Sequence, residues 1–156
     1  MRTHLPNIAQ TGALVIEKVK ISTNMRNSRG RLPKVLYGFQ KLYSQSVLRD
    51  KVLHLLEETL PTGNPKAGRP GMCLWQILVL SVVRTAMGYS YADLLDLVNN
   101  HAALRGILGL GGLSQEFTEQ TLHDNIRLVT EEVLVSINLL LLELGNTLLK
   151  KSLRLP

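Results

Sequence analysis

Residues 72–87, MCLWQILVLSVVRTAM, constrain this chain more than any other stretch, because they are apolar nearly all round a helical circumference. A helix without a polar face has to be walled in by other elements, so the rest of the chain must supply those walls. Gly88 predicts the C-terminal stop of that helix. Ser90 is placed to cap the next one, with Asp93 at the third position as in a capping box. That second helix carries Leu94, Leu95, Leu97 and Val98 and ends at Asn99 and Asn100. A short helix over 102–108, closed by Gly109, completes a compact unit of the helix-turn-helix kind.

The flanks extend this pattern. A helix starting near Pro33, a favoured first-turn residue, presents Val35, Leu36, Phe39, Leu42 and Tyr43 on one face. A second, over 46–60, does the same with Leu48, Val52, Leu55, Leu56 and Leu60. Residues 61–71 hold three prolines and three glycines and read as a linker. A final helix is expected from Thr118 to about Lys151. Its recurring Leu122, Ile126, Val129, Val133, Ile137, Leu141 and Leu144 suggest one stripe facing a partner, by dimerisation or domain bridging. Residues 1–31 show no helical period and read as a mostly extended, flexible arm.

The expected fold is therefore all-α: a basic N-terminal arm (1–31), a helical pair (32–60), a Gly/Pro linker (61–71) and a helical module (72–156) with helix-turn-helix character and a long C-terminal helix. One cysteine, Cys73, excludes an internal disulfide and fits a reducing compartment. No apolar run reaches the roughly 20 residues of a membrane span, and no signal sequence is evident. A soluble, cytoplasmic protein is expected.

Charge is uneven. Residues 1–69 hold twelve Lys/Arg against four Asp/Glu, whereas 70–156 hold six against eight. Such asymmetry points to an anionic partner for the N-terminal half, nucleic acid foremost; the alternative is a solvated leader. Arg26, Arg29, Arg31 and Lys34 are closely spaced, and Lys66 and Arg69 flank the linker glycines, where flexible cations can follow phosphates. Base reading needs short polar side chains at a helix start, and Ser90-Tyr91 and Thr118–Asn125 each offer one. In the latter, Gln120, His123 and Asn125 suit base edges and Arg127 suits a phosphate; the alternative is ordinary capping.

Catalytic chemistry finds no support. Asp93/Asp96, Glu116/Glu119 and Glu131/Glu132 are local pairs, and a two-metal site needs carboxylates converging from different elements. His4, His54, His101 and His123 show no ligand spacing, and Cys73 in an apolar helix reads as a core residue. No catalytic and no metal-ligating residue is assigned.

Several segments together resemble the N-terminal region of DDE-type insertion-sequence transposases, close to the ISNCY group. They are Leu32-Pro-Lys-Val-Leu-Tyr-Gly-Phe-Gln40, Leu48-Arg-Asp-Lys-Val52, Gly68-Arg-Pro-Gly-Met-Cys-Leu-Trp-Gln-Ile-Leu-Val-Leu80, LDLVNNH ending at His101, Leu104-Arg-Gly-Ile-Leu108 and Thr121-Leu-His-Asp-Asn125. The resemblance implies a helical DNA-binding and oligomerisation module that binds terminal inverted repeats in DNA transposition. It also implies that the RNase H-like catalytic domain, with its three carboxylates and two divalent ions (Mg), is not among these residues, so the chain reads as a truncated transposase without cofactor. Expected partners are DNA and a homodimer or full-length transposase. The competing expectation is a non-catalytic helical interaction module or transposition inhibitor.

Overall fold

The computed structural model describes residues 2–6, 16–21, 30–60, 72–110 and 116–153, with side chains to 143. Among them are seven α-helices and no strand, as the periodicity predicts: α1 (Arg31–Ser44), α2 (Ser46–Thr59), α3 (Leu74–Met87), α4 (Tyr91–Asn100), α5 (Ala102–Ile107), α6 (Glu119–Ile126) and α7 (Glu131–Leu153). A single 3-10 turn, Ile16–Lys18, precedes them. The linker expected over 61–71 lies outside the described residues.

Helix α3 is the hub, packed on α1, α2, α4 and α6. Leu74, Trp75, Ile77, Leu78, Val79, Leu80 and Val83 are all buried, each worth about 1.5–3 kcal/mol when fully removed from water. Trp75 anchors the hub. The rings of Phe39 and Tyr43 meet it edge-on at 5.7 and 5.3 Å, and its Nε1–H donates to the Ile107 carbonyl at 2.8 Å, so the indole is buried with its one polar atom satisfied. Gly88 ends the helix with φ of +68°, a conformation that side-chain-bearing residues adopt at a cost. The Ser90 hydroxyl then accepts from Asp93 N–H while the Asp93 carboxylate accepts from Ser90 N–H, which is the expected capping box. At the start of α5, His101 Nδ1 accepts from Leu104 N–H at 3.1 Å.

The flexible arm expected over 1–31 is corrected at both places where it is described. Residues 2–6 lie across the bundle: the Thr3 and His4 carbonyls accept from Leu74 and Trp75 N–H, both at 2.9 Å. These are orphan donors of α3's first turn, so a distant segment supplies the cap. His4 also meets the Glu57 carboxylate of α2 at 2.8 Å. Further on, Ile16, Val19 and Ile21 are buried, and Gln40 of α1 donates its amide to the carbonyls of Ile16, Glu17 and Val19 at 3.0–3.2 Å. Val19 sits on Gly106, where a Cβ would come within 2.8 Å of both its methyls; that glycine exists to admit the segment.

The single long C-terminal helix is also corrected. Residues 127–130 turn between α6 and α7. Thr130 Oγ1 accepts from Val133 N–H, and Glu131 and Glu132 occupy the first turn of α7, where a helix dipole favours acid. The Glu132 carboxyl is held below its ordinary value by its own backbone N–H and by the Thr130 hydroxyl. The turn lets α6 pack on α3 and α4 while α7 returns along α2. Consequently the stripe expected to face a partner faces inward. Leu122, Ile126 and Ile137 are buried and Val129, Val133 and Leu141 pack against the same core; Leu144's side chain lies outside those described.

Candidate nucleic-acid interface

Of the six cations predicted to contact DNA in the N-terminal half, Arg26, Arg29, Lys66 and Arg69 lie outside the described residues. Arg31 and Lys34 stand exposed on α1. The helix continues their pattern: Arg31, Lys34, Gly38 and Lys41 are spaced 3, 4 and 3 apart, so they share one face, and Tyr37 beside them is 41% exposed. Lys41 lies 5.3 Å from the Tyr37 ring centre. A Cβ on Gly38 would meet nothing within 4 Å, so packing does not explain this glycine, which costs about 1 kcal/mol against alanine inside a helix. No Asp or Glu falls within α1.

Gln40 lies on a different flank of α1, and through it the 16–21 segment is fixed to that helix. That segment turns Ile16, Val19 and Ile21 inward and leaves Lys18 and Lys20, with Glu17, exposed. Among the described residues, none of Lys18, Lys20, Arg31, Lys34 and Lys41 enters an ion pair with a carboxylate. Among the described residues, α1 and the 16–21 segment therefore expose Lys18, Lys20, Arg31, Lys34 and Lys41 with Glu17 as their one acid. Sequence reasoning missed Lys18, Lys20, Tyr37 and Lys41. The signals were present as the continued helical period of α1 and as the lysines interleaved with Val19 and Ile21.

The two helix starts offered for base reading come together, since the rings of Tyr91 and His123 meet at 5.0 Å and Arg84 stacks 4.1 Å above Tyr91. The α6 residues fare differently from one another. Asn125 is a correction: it is 8% exposed, accepts from Arg2 Nη1 at 2.6 Å and donates to the Thr121 carbonyl at 2.7 Å. Its carboxamide, buried and tied to the N-terminal segment, is turned away from the surface a base would approach. Gln120 donates to the Asp124 carboxylate at 2.8 Å, and His123 lies 3.7 Å from the same group. Arg127 is exposed at the end of α6, in the company of exposed Glu116, Glu119 and Asp124. Exposed carboxylates along a helix oppose its approach to phosphates.

No group of three His, Cys, Asp or Glu side chains among the described residues is arranged to hold a metal ion. Burial pushes the Cys73 thiol from 9.0 up to about 11, against smaller opposing hydrogen bonds from backbone, so it is a protonated core residue at neutral pH. No helix among the described residues is long and apolar enough to cross a membrane. Beside the α1 face opens an apolar groove of about 490 Å³, walled by Phe39, Leu42, Leu78, Val82, Ile137 and Leu141, with Gly38, Lys41 and Gln45 among its other lining residues.

Fold and surface together define an all-helical module with a basic face on its first helix. Compared with protein-family models, curated proteins and solved structures, the chain matches none.

Proposed function

We propose that this chain is a DNA-binding helical module of transposase type, which holds the terminal inverted repeats of an insertion sequence. The observation that carries the reading is the α1 face: Arg31, Lys34 and Lys41 exposed in one helical stripe. Cations without carboxylate partners are free to replace counterions along a phosphate backbone. Tyr37 and the bare backbone at Gly38 give that face an aromatic plane and a place for close approach. The resemblance of the ordered segments from Leu32 onward supports element ends, rather than bulk DNA, as the target.

On this reading helices α1–α7 bind DNA and do no strand chemistry. The two magnesium ions of transposition belong to the carboxylate domain of the transposases the chain resembles. A module that occupies terminal repeats, or that pairs with an intact transposase, acts as an inhibitor of transposition.

Fluorescence anisotropy with labelled terminal-repeat duplex tests the proposal. Log affinity should fall linearly with log salt, by about 0.9 for each phosphate contacted. Replacing Arg31, Lys34 and Lys41 together by glutamine should lower that slope by roughly 3. Absence of binding at low salt, or a slope unmoved by the triple change, would sink it. The apolar groove favours a second reading, a helix-docking module. Affinity for a helical partner would then barely respond to salt, because apolar burial is uncharged.

A further inference from the structure

Helices α1, α2, α3 and α7 each give aliphatic wall to the groove beside α1, through Val35, Leu48, Val82 and Leu141 among others, and these four are half-buried. Packed interiors leave few voids larger than a water molecule, whereas about 490 Å³ falls within the range of small-molecule sites. From Val35 to Gln45 the groove follows α1 for about 15 Å at 1.5 Å per residue. Two of its lining side chains are polar, Lys41 and Gln45, one turn apart towards the end of α1. The groove thus has one polar end and an apolar length.

That end is electropositive. Lys41 lines the groove with its stem while its ammonium stays in water, 5.3 Å from the Tyr37 ring centre and without a carboxylate partner among the described residues. Gln45 is the residue before α2, yet its side chain does not cap that helix, and the first turn of α2 holds no acid. The positive end of α2 beside it is therefore not neutralised locally. One ammonium and one carboxamide N–H suit the two oxygens of a carboxylate. The remaining walls offer nothing to a second polar group. A docked helix is bordered by polar contacts along a whole rim; here they are gathered at one end, which suits a ligand with a single anionic head and an unbranched tail.

We propose that this groove binds the anion of a straight-chain fatty acid, its carboxylate between Lys41 and Gln45 and its tail laid back towards Val35 between α3 and α7. The site does not rest on DNA binding, although Lys41 belongs to both surfaces.

Titration of the full chain with octanoate, decanoate and dodecanoate, followed by methyl resonances in NMR, tests it. Shifts should centre on the methyl groups of Val35, Leu42, Val82 and Ile137. Affinity should climb along the series, by roughly fourfold for each methylene fully buried. Dodecanoate should bind tighter than dodecanol. Lys41→Gln, an exposed change that leaves the fold intact, should weaken dodecanoate roughly fivefold and leave dodecanol unmoved. Affinity that is flat along the series, shifts centred away from the groove, or a carboxylate preference that survives Lys41→Gln would each overturn the proposal. So would an amphipathic helical peptide that moves these methyl groups where dodecanoate does not, since the groove would then be a peptide site.

Discussion

Helices α1 and α6 both carry side chains suited to nucleic acid, but they differ in what those side chains already hold. On α1, Arg31, Lys34 and Lys41 have no carboxylate partner among the described residues. On α6, Gln120 and His123 share Asp124, and Asn125 is buried against Arg2. Residue type alone ranks α6 as the better reader of bases. Partner occupancy reverses the order, because a donor already paired gains little by exchanging one acceptor for another.

The largest test of that contrast compares charge reversals. Arg31→Glu, Lys34→Glu and Lys41→Glu together should weaken duplex binding by roughly a hundredfold at low salt, measured by anisotropy. At the other helix, Gln120→Ala with His123→Ala should change it by less than about twofold; a larger loss there would restore α6 as the contact surface.

A smaller effect is expected where the 16–21 segment docks. Gly106→Ala drives a Cβ into Val19, a β-branched side chain with little freedom to move. It should cost about 1–3 kcal/mol of stability by urea denaturation.

Cys73 gives a pH test of the hub. Its thiol loses a proton near 9 when unfolded and near 11 when folded, so the unfolded chain ionises first. This contribution is intact below pH 9 and is lost as pH rises towards 11, by about 3 kcal/mol in all. Urea midpoints should fall over that window, and Cys73→Ala should remove this part of the fall.

Smallest is the clasp at α6. Arg2→Ala leaves Asn125 Oδ1 without its donor and should cost about 1–2 kcal/mol. Should DNA affinity then rise, the buried asparagine would be a latent contact rather than a structural one.

Much of the fold was legible because it rests on local signals. The period of α3, the Gly88 stop and the Ser90/Asp93 cap lie within a few residues of one another, and all three hold. The break at 127–130 was missed because the apolar period of Leu122 to Leu141 runs through it without interruption, so the inner face of two helices read as one stripe. The cue was Thr130 followed by two glutamates. Docking of residues 2–6 and 16–21 was out of reach, since main-chain carbonyls carry most of it and leave no mark on side-chain pattern. Of the candidate surface, spacing singled out Arg31 and Lys34, which stand exposed on α1. The burial of Asn125 left no mark in the sequence because its partner, Arg2, lies 123 positions away.

That separation also has a consequence in time. Synthesis proceeds at about 5–20 residues per second, so Arg2 is made roughly 6–25 s before Asn125. Thr3 and His4 likewise exist for several seconds before the first turn of α3 that they cap. Thr3 and His4 can close on α3 once that helix is made, whereas the bond of Arg2 to Asn125 has to wait for α6. A residue at the start of the described chain thus completes its contacts only after nearly all the helices exist.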